Sequence, residues 1–558
     1  MRAYALIALT VMGCSGNSGG GDDDIVEPDP KGWTIEVDMS ATDRFAPPEA
    51  TMWPIAGEAT ATEGLASVDI DGAATELDGG TFATEVPVAL GLTRVNVLAT
   101  DSAGHTRKGD RTVLSARYLP DGAHNPAAAS LILDDAILAS MGEGLAGEAG
   151  DVDVAGEIMA RDILSQDDRC VTWPVQASQG TVKVDLVEDQ GDLWLRIRIP
   201  NLYVYFEGSC QGLFSTIPIG GEMGGTIDVW TRLTANPSAP GQCLSSFAHT
   251  RPEVLINNWG FDVWGLGGPL QSWIVSMFSG EKSGQARSQI ASEVGTRANA
   301  MLTEKLADIQ VFDRTSEVEL LDQSVALHLC LGNLEKVQGK LIARVAANAT
   351  AGGDKPAPGV PQTGGELVDP ANNELLLDAN LVGQLLFASW RAGGLSRPGP
   401  DTDIGLLNIL VPELETEFST TVAQVMFDGE LPPLVTATPD GPGKLRVQLG
   451  DVMLDMTLDD KRVFRFGMIL TLDLELTPMD GKLVPSVVAT DADVWLLDER
   501  FDGPDEGLEA AVRLKVGDAV KDLLGANAAI ALPDLPGLGA PKTVTVDPGG
   551  RFLRVGLE

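Results

Sequence analysis

From Met468 to Leu476 every second side chain is large and apolar: Met468, Leu470, Leu472, Leu474 and Leu476 alternate with Thr471, Asp473 and Glu475. A period of two places one set on a single face of an extended strand. Such a strand is stable only when that face is covered by another layer. Asp480-Gly481 is a turn dipeptide leading into Leu483–Thr490, so the run is one arm of a long antiparallel hairpin. The cover is supplied by helices, because the same chain carries apolar side chains at helical spacing on either side of its strand-like runs.

The arrangement occurs twice. In the first round, Leu133, Ile137, Leu138, Met141 and Leu145 share one helical face. Strand-like runs follow at Thr181–Val187, Leu193–Phe206 and Thr226–Leu233. A second helical region spans about residues 269–309, with Ile290, Val294, Ala298, Met301, Leu302 and Leu306 as its apolar stripe. Ser324–Leu331 and Lys340–Ala346 are strands again. Asn348–Pro370 is rich in Gly, Pro and Ala and has no apolar period, which reads as a linker or a long excursion. Then Asp378 caps a helix bearing Val382, Leu385, Leu386 and Trp390, stopped by Gly393-Gly394. Strands at Leu445–Leu449, Val452–Leu458 and the hairpin above precede a helix with Leu508, Ala511, Val512, Val516 and Val520, and Arg551–Leu557 closes the chain. Each half reads helix, long antiparallel sheet, helix.

Ahead of both rounds lies a small β module. Val95, Val97 and Ala99 alternate with polar neighbours, and Asp71-Gly72, Asp78-Gly79-Gly80 and Asp101–His105 punctuate short strands, the pattern of a sandwich. The run GGTFATEVPVALGLTRVNVLATDSAGH resembles the later strands of bacterial immunoglobulin-like modules, with His105 where those commonly have Asn. Asp69, Asp71 and Asp101 could hold calcium, and solvated turn residues are the preferred reading. At the N-terminus, Met1-Arg2, the apolar run Ala3–Met12 and Gly13-Cys14 resemble a bacterial lipoprotein signal with its lipobox. That resemblance makes Cys14 the acceptor of a lipid anchor. SGNSGGGDDD after it is a flexible tether, and Ser15 next to the cysteine favours the outer membrane.

The repeated order of residues 127–558 resembles the family of bactericidal/permeability-increasing protein, lipopolysaccharide-binding protein and cholesteryl ester transfer protein, within the tubular lipid-binding superfamily. ANLVGQLLFASWRAGGL, Ala379 to Leu395, resembles that family's helix opening the C-terminal half. The segment IALPDLPGLGAPKTVTVDPGGRFLRVGLE resembles its closing loop and last strand, and Leu131–Leu145 its first helix. The expected fold is therefore mostly β with α+β character: an immunoglobulin-like β-sandwich, then two elongated halves, each a helix wrapped in a curved antiparallel sheet. The expected boundaries are a signal peptide at 1–13, tether at 14–30, sandwich at 31–119, first half at 127–347, linker at 348–370 and second half at 371–558. The resemblance implies an apolar tube sheltering acyl chains, lined among others by Leu138, Met141, Ile290, Val294, Met301, Leu385, Leu386 and Trp390. For any one of these, ordinary core packing is the competing reading. The implied function is a non-catalytic envelope lipoprotein that binds or transfers lipid. The alternative is a surface adhesion or scaffold lipoprotein working through its sandwich.

Charge and rare residues narrow the remaining classes. With 80 acidic and 39 basic side chains the formal charge is −41, which excludes a nucleic-acid partner and disfavours docking onto anionic headgroups. Cys170, Cys210, Cys243 and Cys330 lack CxxC spacing, so structural disulfides are expected rather than zinc, with buried free thiols as the alternative. Of three connectivities, Cys170–Cys210 with Cys243–Cys330 is preferred, since each pair flanks neighbouring strand-like segments. The sequence holds no HExxH or phosphate loop, and its GxSxG match, Gly16–Gly20, lies in the glycine-rich tether and not at a strand-to-helix elbow. His105, His124, His249 and His328 are scattered singly, and His328 reads as structural. Asp134-Asp135 and Asp459-Asp460 sit at helix starts or turns, and Asp491 with Asp493 alone defines no glycosidase. No catalysis, cofactor or metal is expected.

Overall fold

The computed structural model describes residues 32–40, 43–140, 142, 153–162, 164–166, 170–211, 216–236, 242–244, 246–264, 283–308, 313–399, 401–479, 481–501, 503–525, 530–531 and 539–558. Cys14, the tether, Met141, Leu145 and Asp480 lie outside them, as does the start of the second helical region; the side chains of Met301 and Leu306 are likewise outside.

The chain is mostly β. Its N-terminal strands form two sheets packed face to face. One consists of Ile35–Met39, Met52–Ala61, Thr81–Pro87 and Leu77–Asp78. The other consists of Phe45–Ala46, Thr106–Ser115, Gly91–Asp101, Leu65–Ile70 and Ala73–Ala74. Val95, Val97 and Ala99 point inward against Ile55, Phe82 and Val86 of the facing sheet, as their alternation requires.

The sandwich is docked on the second half of the chain by charge. Lys108 reaches Asp505 and Glu509 at 3.0 and 2.9 Å, and Arg107 reaches Asp498 at 2.9 Å. Arg94 bonds Asp493 and stacks 3.8 Å above the Trp495 ring. Leu114, Ala116, Leu431 and Leu434 form a small apolar seam beside these pairs. At the centre the Thr112 amide donates to Asp451, which lies between Arg111 and Arg44. Burial pushes the Asp451 carboxyl above its usual range, against the pull of the two arginines and the Thr112 bond.

Beyond the sandwich the described residues form three large sheets and one two-stranded sheet. The middle one runs Asp313–Leu320, Gln323–Val337, Lys340–Thr350, Asn125–Ile132, Glu374–Asp378, Phe552–Leu557 and Pro541–Val546. It takes strands from both rounds of the sequence pattern, which meet where Ala129 pairs with Leu377. The first round's own sheet holds Cys170–Ser178, Lys183–Asp189, Asp192–Gln211, Thr216–Ala235 and Glu253–Trp264. The second round's holds Val422–Gly429, Leu434–Ala437, Leu445–Leu458, Lys461–Met479 and Lys482–Glu499. Helices Ser283–Asp308 and Asp505–Gly525 cover these two sheets, and Ala379–Arg391 packs beside the middle one. A single apolar core extends from Ala128 to Val555.

Two local differences from the sequence pattern have simple causes. The strand expected at Thr226–Leu233 extends over Thr216–Ala235, because Gly220, Gly221, Gly224 and Gly225 hide the alternation. At Gly224 a Cβ would lie 2.1 Å from the Leu202 carbonyl oxygen, where the pairing of the two strands is irregular; glycine is what lets the backbones approach there. Within 348–370, Val360–Gln362 is a strand paired with Arg117–Leu119, and Val360 is buried.

Candidate functional site

The helix Ala379–Arg391 is apolar nearly all round and buried on almost every face, including Leu381, Leu385, Leu386, Phe387 and Trp390. Its start is fixed by Asp378, whose carboxylate accepts from the Asn380 amide at 2.9 Å. The same carboxylate receives Arg551 Nε and Nη2 at 3.0 and 2.8 Å and Asn125 Nδ2 at 3.2 Å. One buried group thus ties together the opening strand of the first round, the helix of the second, and the last strand. Gly393, at φ +90°, ends the helix, with Gly393 and Gly394 amides returning to the Trp390 and Ser389 carbonyls.

Leu386 reaches from this helix into a cavity of about 580 Å³. Its other walls are Leu321, Leu395, Phe427, Pro433, Val447, Leu449, Val452 and Leu470, with the Arg397 side chain at its edge. Arg397 is itself paired with Asp322 at 2.9 Å. Farther along the same face of the strand Val422–Gly429, a second cavity of about 560 Å³ lies under the helices Gly405–Leu410 and Asp505–Gly525. Leu407, Val425, Leu454, Met456, Val512 and Val516 line it, while Thr402, Asp403 and Lys515 supply its polar groups. Both spaces are narrow and open to solvent in part. Phe427 belongs to both linings. Leu406, which also lines the second cavity, is 46% exposed, and Ile409 one turn on is 76% exposed.

The candidates named from the sequence fall into different places. Leu386 lines a cavity. Leu138, Ile290, Val294, Leu385 and Trp390 are buried in the continuous core. Trp390 also donates its Nε1 hydrogen to the Gly429 carbonyl at 2.7 Å, as a buried indole requires. Phe427 and Val425 sit on a strand whose apolar side chains fall on both faces, which gives no sequence signal, and Met456 on one whose alternation marks a buried face without saying whether that face meets atoms or space. The cysteines pair as Cys170–Cys210 and Cys243–Cys330. Asp101 holds its own turn, accepting from the Ala103 and His105 amides and facing His105 Nδ1 at 2.7 Å, while Asp71 accepts from the Asn96 amide. Burial alone would raise the Asp101 carboxyl; the hydrogen bonds and charge of His105 and the Ala103 amide outweigh it and hold it below the usual range.

The structure also brings together two histidines that the sequence left apart. His124 Nε2 lies 2.8 Å from His328 Nδ1, and His328 Nε2 lies 2.6 Å from Asp313 Oδ1. Burial, and after it the neighbouring His328, keeps the His124 imidazole below its ordinary range.

No family model matches the chain, and no curated protein matches it. Among solved structures, lipopolysaccharide binding protein is similar at 13% identity, with 79% of this chain and 99% of that chain covered and a TM-score of 0.38. P47 of Clostridium botulinum E1 is similar at 9% identity, with 78% and 99% covered and a TM-score of 0.23.

Proposed function

We propose that this chain is a non-catalytic lipid-binding protein of the bacterial envelope, anchored through a lipid on Cys14, that shelters acyl chains in the cavities that Phe427 borders. The observation that carries the reading is this pair of spaces, walled mainly by aliphatic and aromatic carbon and sharing Phe427 in their linings. An acyl segment of about a dozen methylenes gains roughly 10 kcal/mol on leaving water. That exceeds the lower estimates of association cost, about 4 kcal/mol, without any charged anchor. Such binding suits a chain of formal charge −41, which repels anionic surfaces. Exposed Leu406 and Ile409 offer an apolar approach to the second space.

Native mass spectrometry of the protein purified from its own envelope tests this. A stoichiometric acyl lipid is expected, and F427W, which enlarges the side chain common to both linings, should lower uptake of a fluorescent fatty acyl probe at least fivefold while leaving circular dichroism unchanged. A lipid-free protein that takes up no probe would overturn the reading in favour of a scaffold. C14S should abolish palmitate-analogue labelling and membrane partitioning; unlabelled wild-type protein would remove the anchor from the proposal.

A further inference from the structure

Five side chains able to bind a metal, from four separate stretches of the sequence, converge at the end of the middle sheet. His328 and Cys330 are two residues apart on the strand Gln323–Val337 and therefore project from the same face. Asp313 pairs with Cys330 across the adjacent edge strand, one diagonal step from His328. His124 directly precedes the strand Asn125–Ile132, and its approach is held by Asn348, whose side chain donates to the Gly122 carbonyl. Cys243 is brought in by the next residue, since the Leu244 amide donates to the Leu331 carbonyl at 2.7 Å. The ligand atoms of His124, Cys243 and Cys330 all lie within 4.8 Å of one another, as do those of Cys243, Asp313 and His328.

The hydrogen bonding already resembles the outer shell of a metal site. With its Nε2 at 2.6 Å from the Asp313 carboxylate, His328 carries its hydrogen there, which leaves the Nδ1 lone pair aimed at His124 Nε2. A carboxylate fixing the far nitrogen of an imidazole is the usual second shell of a ligating histidine. Cys243 Sγ is 3.8 Å from His124 Nε2, close to the separation of a sulfur and a nitrogen on one tetrahedral zinc ion. The two imidazole nitrogens need to part by only about 0.5 Å to reach zinc–nitrogen bond lengths. His328 is 26% exposed, so an ion can enter from solvent.

We propose that His124, His328, Cys243 and Cys330 form a redox-gated Zn(II) site. In the disulfide state the two sulfurs are poor ligands and only the imidazoles are on offer. Reduction by a phosphine or a dithiol adds two electrons and two protons to the S–S bond and yields two thiols. Zinc then displaces both protons to solvent and takes two thiolates with two neutral imidazoles, the N2S2 tetrahedral set that suits this ion. Asp313 is a positioning residue, acting through the His328 ring.

The test uses the full chain and Co(II) as a spectroscopic probe. The disulfides are opened with a water-soluble phosphine, which takes up oxygen from water as the phosphine oxide, and the reductant is removed without air. The expected result is one Co(II) per chain with the intense visible bands of a tetrahedral site and thiolate charge transfer, displaced by Zn(II), with near-UV circular dichroism retained. H124A and H328A should each weaken binding 100-fold or more, D313N by 10–100-fold, and C170S/C210S should bind as the wild type does. The unreduced chain should bind at least 100-fold more weakly than the reduced one. A reduced chain that binds no cobalt, a spectrum unchanged in H124A and H328A, or a loss of near-UV circular dichroism on reduction that zinc does not restore would each overturn the proposal.

Discussion

Replacing Asp378 with alanine should cost about 4 kcal/mol of folding free energy, the sum of two losses. The carboxylate caps the helix Ala379–Arg391 through the Asn380 amide, and an N-cap is worth about 1 kcal/mol. It is also fully buried and takes two hydrogen bonds from Arg551. Removing one member of a buried ion pair costs about 3–5 kcal/mol, because the other charge stays in a low dielectric without its partner. Arg551 is 18% exposed and keeps its bond to the Gly365 carbonyl, which places this loss at the lower end. D378N keeps a competent cap and should spare about 1 kcal/mol of the total. Urea denaturation followed by far-UV circular dichroism gives both values. A double-mutant cycle with R551M isolates the pair and should return a coupling of about 2 kcal/mol. A D378A cost below about 1 kcal/mol, or single effects that add to within about 0.5 kcal/mol, would refute the assignment of this group as the joint between the two rounds of the chain.

Three further outcomes follow from the same geometry. D451A should accelerate hydrogen exchange at Thr112, whose amide donates to Asp451, while leaving Val95 and Val97 protected, because the sandwich would lose its dock and keep its core; unchanged exchange at Thr112 would count against the interlock. C170A/C210A opens a loop of sequence separation 40 and should lower stability by about 4 kcal/mol on the chain-entropy estimate, measured as a shift in the urea midpoint. Asp101, held below its ordinary 3.8 in the folded chain, contributes stability that is present above that value and is lost as pH falls below it toward the folded pKa. Acid titration monitored by the fluorescence of Trp33, which stacks on His105, should show a transition in that window that D101N flattens.

The sequence by itself settled what is periodic. Alternation along Met468–Leu476 and Leu193–Phe206, and the helical spacing of Ile290, Val294 and Ala298, follow from backbone geometry alone, and these residues are buried on the expected faces. Of the three connectivities the sequence left open for the four described cysteines, the structure has the one that strand neighbourhood favoured. What is not periodic waited for the tertiary structure. Strands from both rounds share one sheet because Ala129 meets Leu377, a pairing chosen by the fit of whole faces and not by either strand. The strand Val422–Gly429 carries apolar side chains on both faces, so its sequence shows neither that Val425 and Phe427 point inward nor that they border space, since a cavity is defined by atoms that distant elements fail to supply. His124 and His328 were unremarkable singly, being 204 residues apart, and acquire chemistry only because sheet register sets their ring nitrogens 2.8 Å from each other. Local sequence dictates which face a side chain takes; long-range packing alone decides what that face meets.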